Sequence, residues 1–161
     1  SFLTLYFAGI RREAAQVDHP ERLEPRTRVS VRVGAALPAC AVRAAERGAQ
    51  RVRAGVEAAF LSADLLLLPT LIDVPGGAHD LRGKNWAAAM LASTPVVSNT
   101  AIFNVSGHPA VSVHAGFTPD GLPIGAQLVA RTGREDLLLA LTAQLERSGG
   151  LCPPWTGRPG L

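Results

Sequence analysis

Few side chains in this sequence have the types and spacing that catalysis or metal binding needs. The four histidines, at positions 19, 79, 108 and 114, show no metal-ligand spacing. His108 and His114 flank a predicted strand, and six extended residues span roughly 20 Å at about 3.3 Å per residue, too far for one coordination sphere. Cys40 and Cys152 are far apart in sequence, and we interpret both as free thiols. No metal site and no cofactor site is predicted.

A serine nucleophile is not identifiable from the pattern. No serine lies in a Gly-x-Ser-x-Gly nucleophile elbow, and Ser106 before Gly107 is the nearest match. We interpret the Ser106 hydroxyl as a group that hydrogen-bonds to loop backbone before a tight turn. The Gly76-Gly77 and Gly149-Gly150 pairs lack the setting of a phosphate-binding loop, so they do not support nucleotide binding.

Three helices are predicted in the first part of the chain. Phe2 to Val17 carries apolar residues at helical spacing, and a second helix, capped by Thr27, reaches about Leu37. A long Ala/Arg/Glu-rich helix then follows Pro38 and reaches about Ser62. Its apolar residues form one stripe with the charges mostly opposite, which is typical of a surface helix that lies on a core.

Strands and helices alternate in the second part of the chain. Asp64 to Pro69 is a short continuous apolar run, which predicts a strand buried on both faces. Pro109 to Val113 and Ile124 to Val129 predict two strands joined by a Pro-Asp-Gly turn, as a hairpin or as neighbours in one sheet. The other predicted segments are a surface loop from Ile72 to Leu81, a helix from Trp86 to Leu91, a helix from Arg134 to Arg147, and a surface tail from Gly149 to Leu161.

Composition limits the class of protein. A chain of 161 residues with 47% hydrophobic and 18% charged residues is typical of about one soluble globular domain, and its element order predicts the α/β class. No apolar run approaches the ~20 residues of a membrane span, so we expect a cytoplasmic protein without a membrane partner. The net charge is +3, and positive and negative residues are interspersed along the sequence. We interpret Arg47, Arg51 and Arg53 as a solvated helix face, so we expect no nucleic-acid partner.

One region has a distinctive order of residues. An asparagine, glycine and proline loop leads to a strand, a Gly-Leu-Pro turn and a Gly-x-Gln-Leu strand, all between Thr100 and Glu146. The residues involved are Phe103, Asn104, Gly107, Pro109, Ala110, Ser112, Gly116, Asp120 to Pro123, Gly125, Gln127 to Val129, Glu135, Leu137 and Leu138. In order and spacing they resemble the C-terminal half of the amidase-signature family. Asp64 to Pro69 is similar to that family's strand ending in Pro-Thr near the active site.

The resemblance implies a fold. We expect part of the amidase-signature fold, a mixed β-sheet covered by helices and lacking the N-terminal half. Residues 1–161 would be the C-terminal portion of a single amidase domain. It would comprise a helical region (Phe2 to Ser62), a strand and helix core (Asp64 to Arg147) and a tail (Gly149 to Leu161).

The resemblance also implies a chemistry. The family hydrolyses amide C–N bonds with a Ser-cis-Ser-Lys triad, whose serines lie in a Gly/Ser-rich loop that also donates the oxyanion hole. A neutral lysine accepts a proton through the middle serine and so activates the nucleophile. No Gly-Gly-Ser-Ser-Gly-like segment occurs here, and Lys84 follows rather than precedes the expected position of that loop. We assign no catalytic residue and expect this chain alone to be inactive.

The candidates for lining a substrate pocket are Thr70 and the loops from Ile72 to Leu81 and from Thr100 to Asn104. The individual residues that we name are Thr70, Thr100, Phe103 and Asn104. The expected partners are the N-terminal half of the amidase domain and a small amide substrate, and a homodimer is left open. Two alternatives stand beside the amidase. One is a noncatalytic interaction protein that retains an amidase scaffold. The other is a fragment of a protein like the glutamyl-tRNA(Gln) amidotransferase subunit that shares the amidase fold and triad.

Overall fold

The structure is a computed structural model that describes residues 2–74, 76–77 and 79–149. The predicted tail, with Cys152, lies outside these residues except for Gly149. The α/β class is confirmed. In chain order the elements are helices α1 (Phe2–Ala14), α2 (Pro25–Ala36) and α3 (Ala39–Ala59), strand β1 (Leu65–Pro69), helices α4 (Trp86–Ser93) and α5 (Ser98–Ser106), strands β2 (Ala110–Phe117) and β3 (Pro123–Ala130), and helix α6 (Glu135–Arg147), with a short 3-10 turn at Pro20–Arg22.

The three strands of the described residues form one sheet in the order β1-β3-β2, and both strand pairs are antiparallel. The hairpin interpretation of β2 and β3 is confirmed. Their turn is closed by the Gly121 amide, which donates to the Thr118 carbonyl at 2.9 Å, and by the Leu122 amide, which donates to the Thr118 hydroxyl at 2.9 Å. Gly121 has a φ of 82°, which explains the glycine at this position.

The core lies on both faces of β3, because successive residues of a strand point to opposite faces. On one face Val129 packs with Val56 and Phe60 of the α3 end and with Phe103 of α5. On the other face Leu128 belongs to a cluster that also holds Val113, Ala130 and Leu138. Val129 and Ala130 are 0% exposed, so β3 is the centre of the molecule.

Strand β1 corrects the prediction of a strand buried on both faces. Leu66 and Leu68 pack against the cluster around Val129, but Leu67 is 70% exposed. In the described residues β1 has a strand neighbour only on the β3 side, and α6 contacts β2 and β3. The α6 face of β1 is therefore only partly covered.

Helix α5 corrects a second prediction, because the structure places the expected loop from Thr100 to Asn104 inside a helix. Ala101, Phe103 and Ser106 are buried, and the helix ends at Gly107, whose φ is 73°. Packing on α3 and the sheet outweighs weak local helix propensity.

The predicted Thr27 cap is also wrong, since α2 begins at Pro25 without a side-chain cap.

Helix α6 begins with the two acidic residues that the sequence indicated, Glu135 and Asp136. The Nε atom of Arg134 donates to Oδ1 of Asp136 at 3.0 Å, and this hydrogen bond lowers the pKa of Asp136. A lowered pKa means that the stabilisation is present at neutral pH and is lost as the pH falls through the titration of Asp136.

None of the described helices is both long and apolar enough to cross a membrane.

We expect Gly125→Ala to destabilise the sheet by about 1–3 kcal/mol. A Cβ atom at Gly125 would lie 2.9 Å from the Thr70 hydroxyl and 3.0 Å from the Ser112 hydroxyl. Urea unfolding of the variant measures the loss. Gly55→Ala in α3 is the control, because its Cβ would meet nothing within 4 Å and the helix would gain about 0.5–1 kcal/mol. Equal stability of Gly125→Ala and the unmodified protein would contradict this packing.

Candidate functional site

Helices α1, α4 and α5 enclose a groove of about 540 Å³, a size typical of small-molecule sites. Two of the predicted pocket residues, Thr100 and Asn104, lie on its α5 wall. Most of the lining is apolar, and it consists of Phe2, Leu5, Tyr6, Met90, Ser93, Thr94, Val97, Thr100, Ala101, Asn104 and Val105. That these residues bind a substrate stays a prediction.

The groove depends on contacts that hold α4 against the first two helices. The Trp86 ring at the start of α4 packs against Phe7 of α1, with ring centroids 5.6 Å apart. Its indole nitrogen donates to the Ser30 hydroxyl of α2 at 2.9 Å. Arg26 of α2 also donates to the carbonyls of Leu81 and Lys84, at 2.8 and 2.9 Å. The chain before α4 is thereby fixed to α2.

Hydrogen bonds within the protein occupy most of the polar side chains that line the groove. Asn104 is exposed, and its carboxamide has no hydrogen bond to another of the described residues. The serine and threonine hydroxyls of the groove instead donate to carbonyls of the preceding turn, from Ser93 to Ala89 at 2.9 Å, from Thr94 to Met90 at 2.7 Å and from Thr100 to Val97 at 2.9 Å. Asn104 is therefore the α5 side chain best able to recognise a polar group of a ligand.

Phe103 does not lie on the groove wall. Its side chain is 6% exposed and packs in the core cluster with Val56, Phe60 and Val129. Because α5 is a helix, Phe103 and Asn104 point about 100° apart around its axis. A loop would have allowed both to face one pocket. Among the described residues Phe103 therefore belongs to the core, and a pocket role for it stays a prediction.

Thr70 lies away from the groove, at the end of β1. Its hydroxyl is 2.7 Å from the Ser112 hydroxyl of β2, and the pair crosses β3 at Gly125. The Thr70 amide also donates to the Gly125 carbonyl at 2.9 Å. Thr70 and the two groove residues of α5 are thus not brought together around one cavity.

Asn99 links the end of β1 to the buried side of β3, and no sequence pattern indicated this role. The side-chain amide of Asn99 donates to the Pro69 carbonyl at 2.8 Å. The backbone carbonyl of Asn99 accepts from the Gln127 side chain at 3.5 Å. Gln127 is 4% exposed, and this hydrogen bond gives its buried side-chain amide a partner.

Ser106, His108 and Glu57 form a hydrogen-bonded chain that resembles a catalytic triad. The Ser106 hydroxyl is 2.9 Å from Nδ1 of His108, and Nε2 of His108 is 3.1 Å from a Glu57 carboxylate oxygen. A neutral imidazole with its proton on Nε2 satisfies both contacts. Glu57 is 51 residues before His108, so no local pattern could reveal the pair.

Burial prevents this hydrogen-bonded chain from acting on a substrate. Ser106 is 2% exposed, and the His108 side chain is 0% exposed and stacks on Phe60 with centroids 5.6 Å apart. A nucleophile must reach the reacting carbonyl, and the buried Ser106 hydroxyl lacks that access. The three residues instead connect the C-terminal ends of α3 and α5 to the start of β2.

Among the described residues no group of three or more His, Cys, Asp or Glu side chains could hold a metal ion.

Comparison with known proteins identifies the family of this chain. The Amidase family model matches residues 8–139, and the chain belongs to the amidase family. The expected resemblance is therefore confirmed. It is similar to the putative amidase AmiB2 of Mycobacterium tuberculosis, with 34% identity over 98% of this chain and 33% of the relative.

Two further comparisons involve 6-aminohexanoate-cyclic-dimer hydrolase. The enzyme of Paenarthrobacter ureafaciens is 45% identical over 103 residues, which are 59% of this chain and 20% of the relative. A solved structure of 6-aminohexanoate cyclic dimer hydrolase matches with a TM-score of 0.70 and 31% identity, over 98% of this chain and 36% of that one. The chain spans about a third or less of the length of these relatives.

We expect His108→Ala to lower the free energy of unfolding by about 3 kcal/mol, because it leaves a cavity beside Phe60 and removes a partner from Glu57 and Ser106. His108→Phe should lose less, since it keeps the ring stacking. Urea unfolding measures both. The control is His19→Ala, because the His19 side chain is 61% exposed and its loss should change stability by no more than about 0.5 kcal/mol. Equal losses for all three variants would contradict a structural role for His108.

Proposed function

We propose that this chain is part of an enzyme that hydrolyses a carboxamide C–N bond to a carboxylate and ammonia or an amine. The observation that carries the proposal is the match of residues 8–139 to the amidase family. Relatives described as a putative amidase and as a cyclic-dimer hydrolase support it. Cytoplasmic location, a homodimer and the absence of a nucleic-acid partner stay predictions.

In this proposal the chain provides scaffold and pocket wall, and the nucleophile comes from elsewhere in the enzyme. The sequence holds no Gly/Ser-rich triad loop, and the one Ser-His-Glu arrangement found among the described residues is buried. A serine activated by a lysine through a second serine would then attack the carbonyl from residues outside these 161. The partner we propose is the N-terminal half of the amidase domain.

The open edge of β1 is the proposed junction with that partner. In the described part of the chain β1 pairs only with β3, so the other row of backbone donors and acceptors is available for a further strand. Leu67 of β1 is 70% exposed, and an added layer of structure would bury it. A partner strand that pairs in parallel with β1 would also produce the mixed sheet expected from the resemblance.

The groove gives the proposed substrate a chemical character. Its apolar lining fits an aliphatic or aromatic part of an amide, and the Asn104 carboxamide offers two N–H donors and a carbonyl acceptor to the amide group or to another polar substituent. Thr100 contributes contact area only, because its hydroxyl is bonded to Val97.

Hydrolysis of simple aliphatic and aromatic amides by the purified 161-residue protein tests the division of roles. We expect no turnover above the buffer rate, because the sequence contains no Gly/Ser-rich triad loop. The same segment joined to a triad-bearing N-terminal half should hydrolyse amides. Robust turnover by the isolated chain that persists in Lys84→Ala and in Ser106→Ala would overturn the proposed family mechanism.

Binding of hexanamide tests the groove. We expect Asn104→Ala to weaken hexanamide binding about three- to tenfold, because it removes a hydrogen bond worth about 0.5–1.5 kcal/mol. Thr100→Val is the matched control on the same helix face and should retain the affinity, since the Thr100 hydroxyl is already bonded. Isothermal titration calorimetry measures both. A larger loss in Thr100→Val than in Asn104→Ala would count against this assignment.

A further inference from the structure

A second cavity, of about 300 Å³, lies at the end of the sheet where β1 ends and β3 begins. It does not share residues with the groove between α1, α4 and α5. Its lining consists of Pro69, Leu71, Ile72, Asp73, Val74, Pro123, Ile124 and Gly125. Of these described residues only Asp73 is charged, and the others present aliphatic side chains or backbone.

Hydrogen bonds fix the walls of this cavity. The Thr70 amide donates to the Gly125 carbonyl at 2.9 Å, so the chain leaving β1 stays beside β3. The Ile72 amide donates to the Val96 carbonyl at 3.3 Å, and Asn99 donates to the Pro69 carbonyl at 2.8 Å. These bonds hold the wall from Pro69 to Ile72 in place beside β3.

Asp73 gives the cavity a negative charge that its own surroundings do not neutralise. One carboxylate oxygen accepts a hydrogen bond from the Val74 amide at 2.8 Å. Among the described residues no Lys, Arg or His forms an ion pair with Asp73. A carboxylate beside an aliphatic wall is complementary to a ligand that joins an aliphatic chain to a cation.

We propose that this cavity binds a primary alkylammonium group, with the aliphatic chain against Leu71, Ile72 and Ile124 and the ammonium at Asp73. An ammonium offers three N–H donors to the second Asp73 oxygen and to backbone carbonyls. The inference rests on the proposed function only for the origin of the ligand, which would be an amine carried by, or released from, an amide substrate.

Titration of the ¹⁵N-labelled protein with hexylammonium chloride at neutral pH tests the proposal. We expect saturable shifts in the amide signals of Ile72, Val74 and Ile124. Asp73→Asn should weaken binding about tenfold, because it replaces a charge-assisted contact with a neutral one. Asp120→Asn, in the β2–β3 turn and outside the cavity lining, should leave the affinity unchanged.

Neutral hexanol and anionic hexanoate provide a test that needs no variant, should Asp73→Asn fail to fold. Weaker binding of both ligands than of hexylammonium at the same signals supports the proposal. Equal binding of hexanol and hexylammonium, or an unchanged affinity in a folded Asp73→Asn protein, would overturn it. If the assembled enzyme hydrolyses amides but does not bind hexylammonium, this inference alone is refuted. If the assembled enzyme binds hexylammonium but does not hydrolyse amides, the result counts only against the proposed function.

Discussion

Burial of β3 on both faces is the constraint on which the rest of the molecule depends. Val129 and Ala130 are neighbours in sequence, both are 0% exposed, and the pleat of the strand directs them to opposite faces. Val129 holds the ends of α3 and α5 on one side, and the cluster around Ala130 holds α6 on the other. Helix α5 carries one wall of the groove, and Gly125 near the start of β3 lines the second cavity, so the positions of both candidate sites depend on this strand.

The polar groups near the core serve the same purpose as the apolar contacts. His108 connects Ser106 to Glu57, and the hydroxyls of Thr70 and Ser112 meet over Gly125. The first arrangement joins the ends of α3 and α5 to the start of β2 and gives the buried Ser106 and His108 side chains hydrogen-bond partners, and the second joins β2 to the end of β1. The hydroxyls of Ser106, Thr70 and Ser112 therefore take part in hydrogen bonds that join elements of the fold. This distribution is consistent with a scaffold that presents a pocket while the nucleophile lies elsewhere in the enzyme.

Local patterns predicted most of the elements because their signals are themselves local. Helical spacing predicted α1, α3 and α6, and the Pro-Asp-Gly turn predicted the β2–β3 hairpin. Burial that depends on distant neighbours could not be predicted in this way. Leu67 has the same sequence environment as Leu66 but faces away from α3, and α5 is helical because Phe103 packs on the core. The contact of His108 with Glu57, across 51 residues, has no sequence pattern at all.

Covalent labelling tests the central claim, that this chain carries the amidase scaffold but no activated nucleophile, most directly. The folded protein would be treated with an aryl fluorophosphonate, which reacts with activated serines, and its intact mass measured by mass spectrometry. We predict no adduct, because Ser106, whose hydroxyl lies 2.9 Å from Nδ1 of His108, is buried. A stoichiometric adduct on any serine of this chain would contradict the claim.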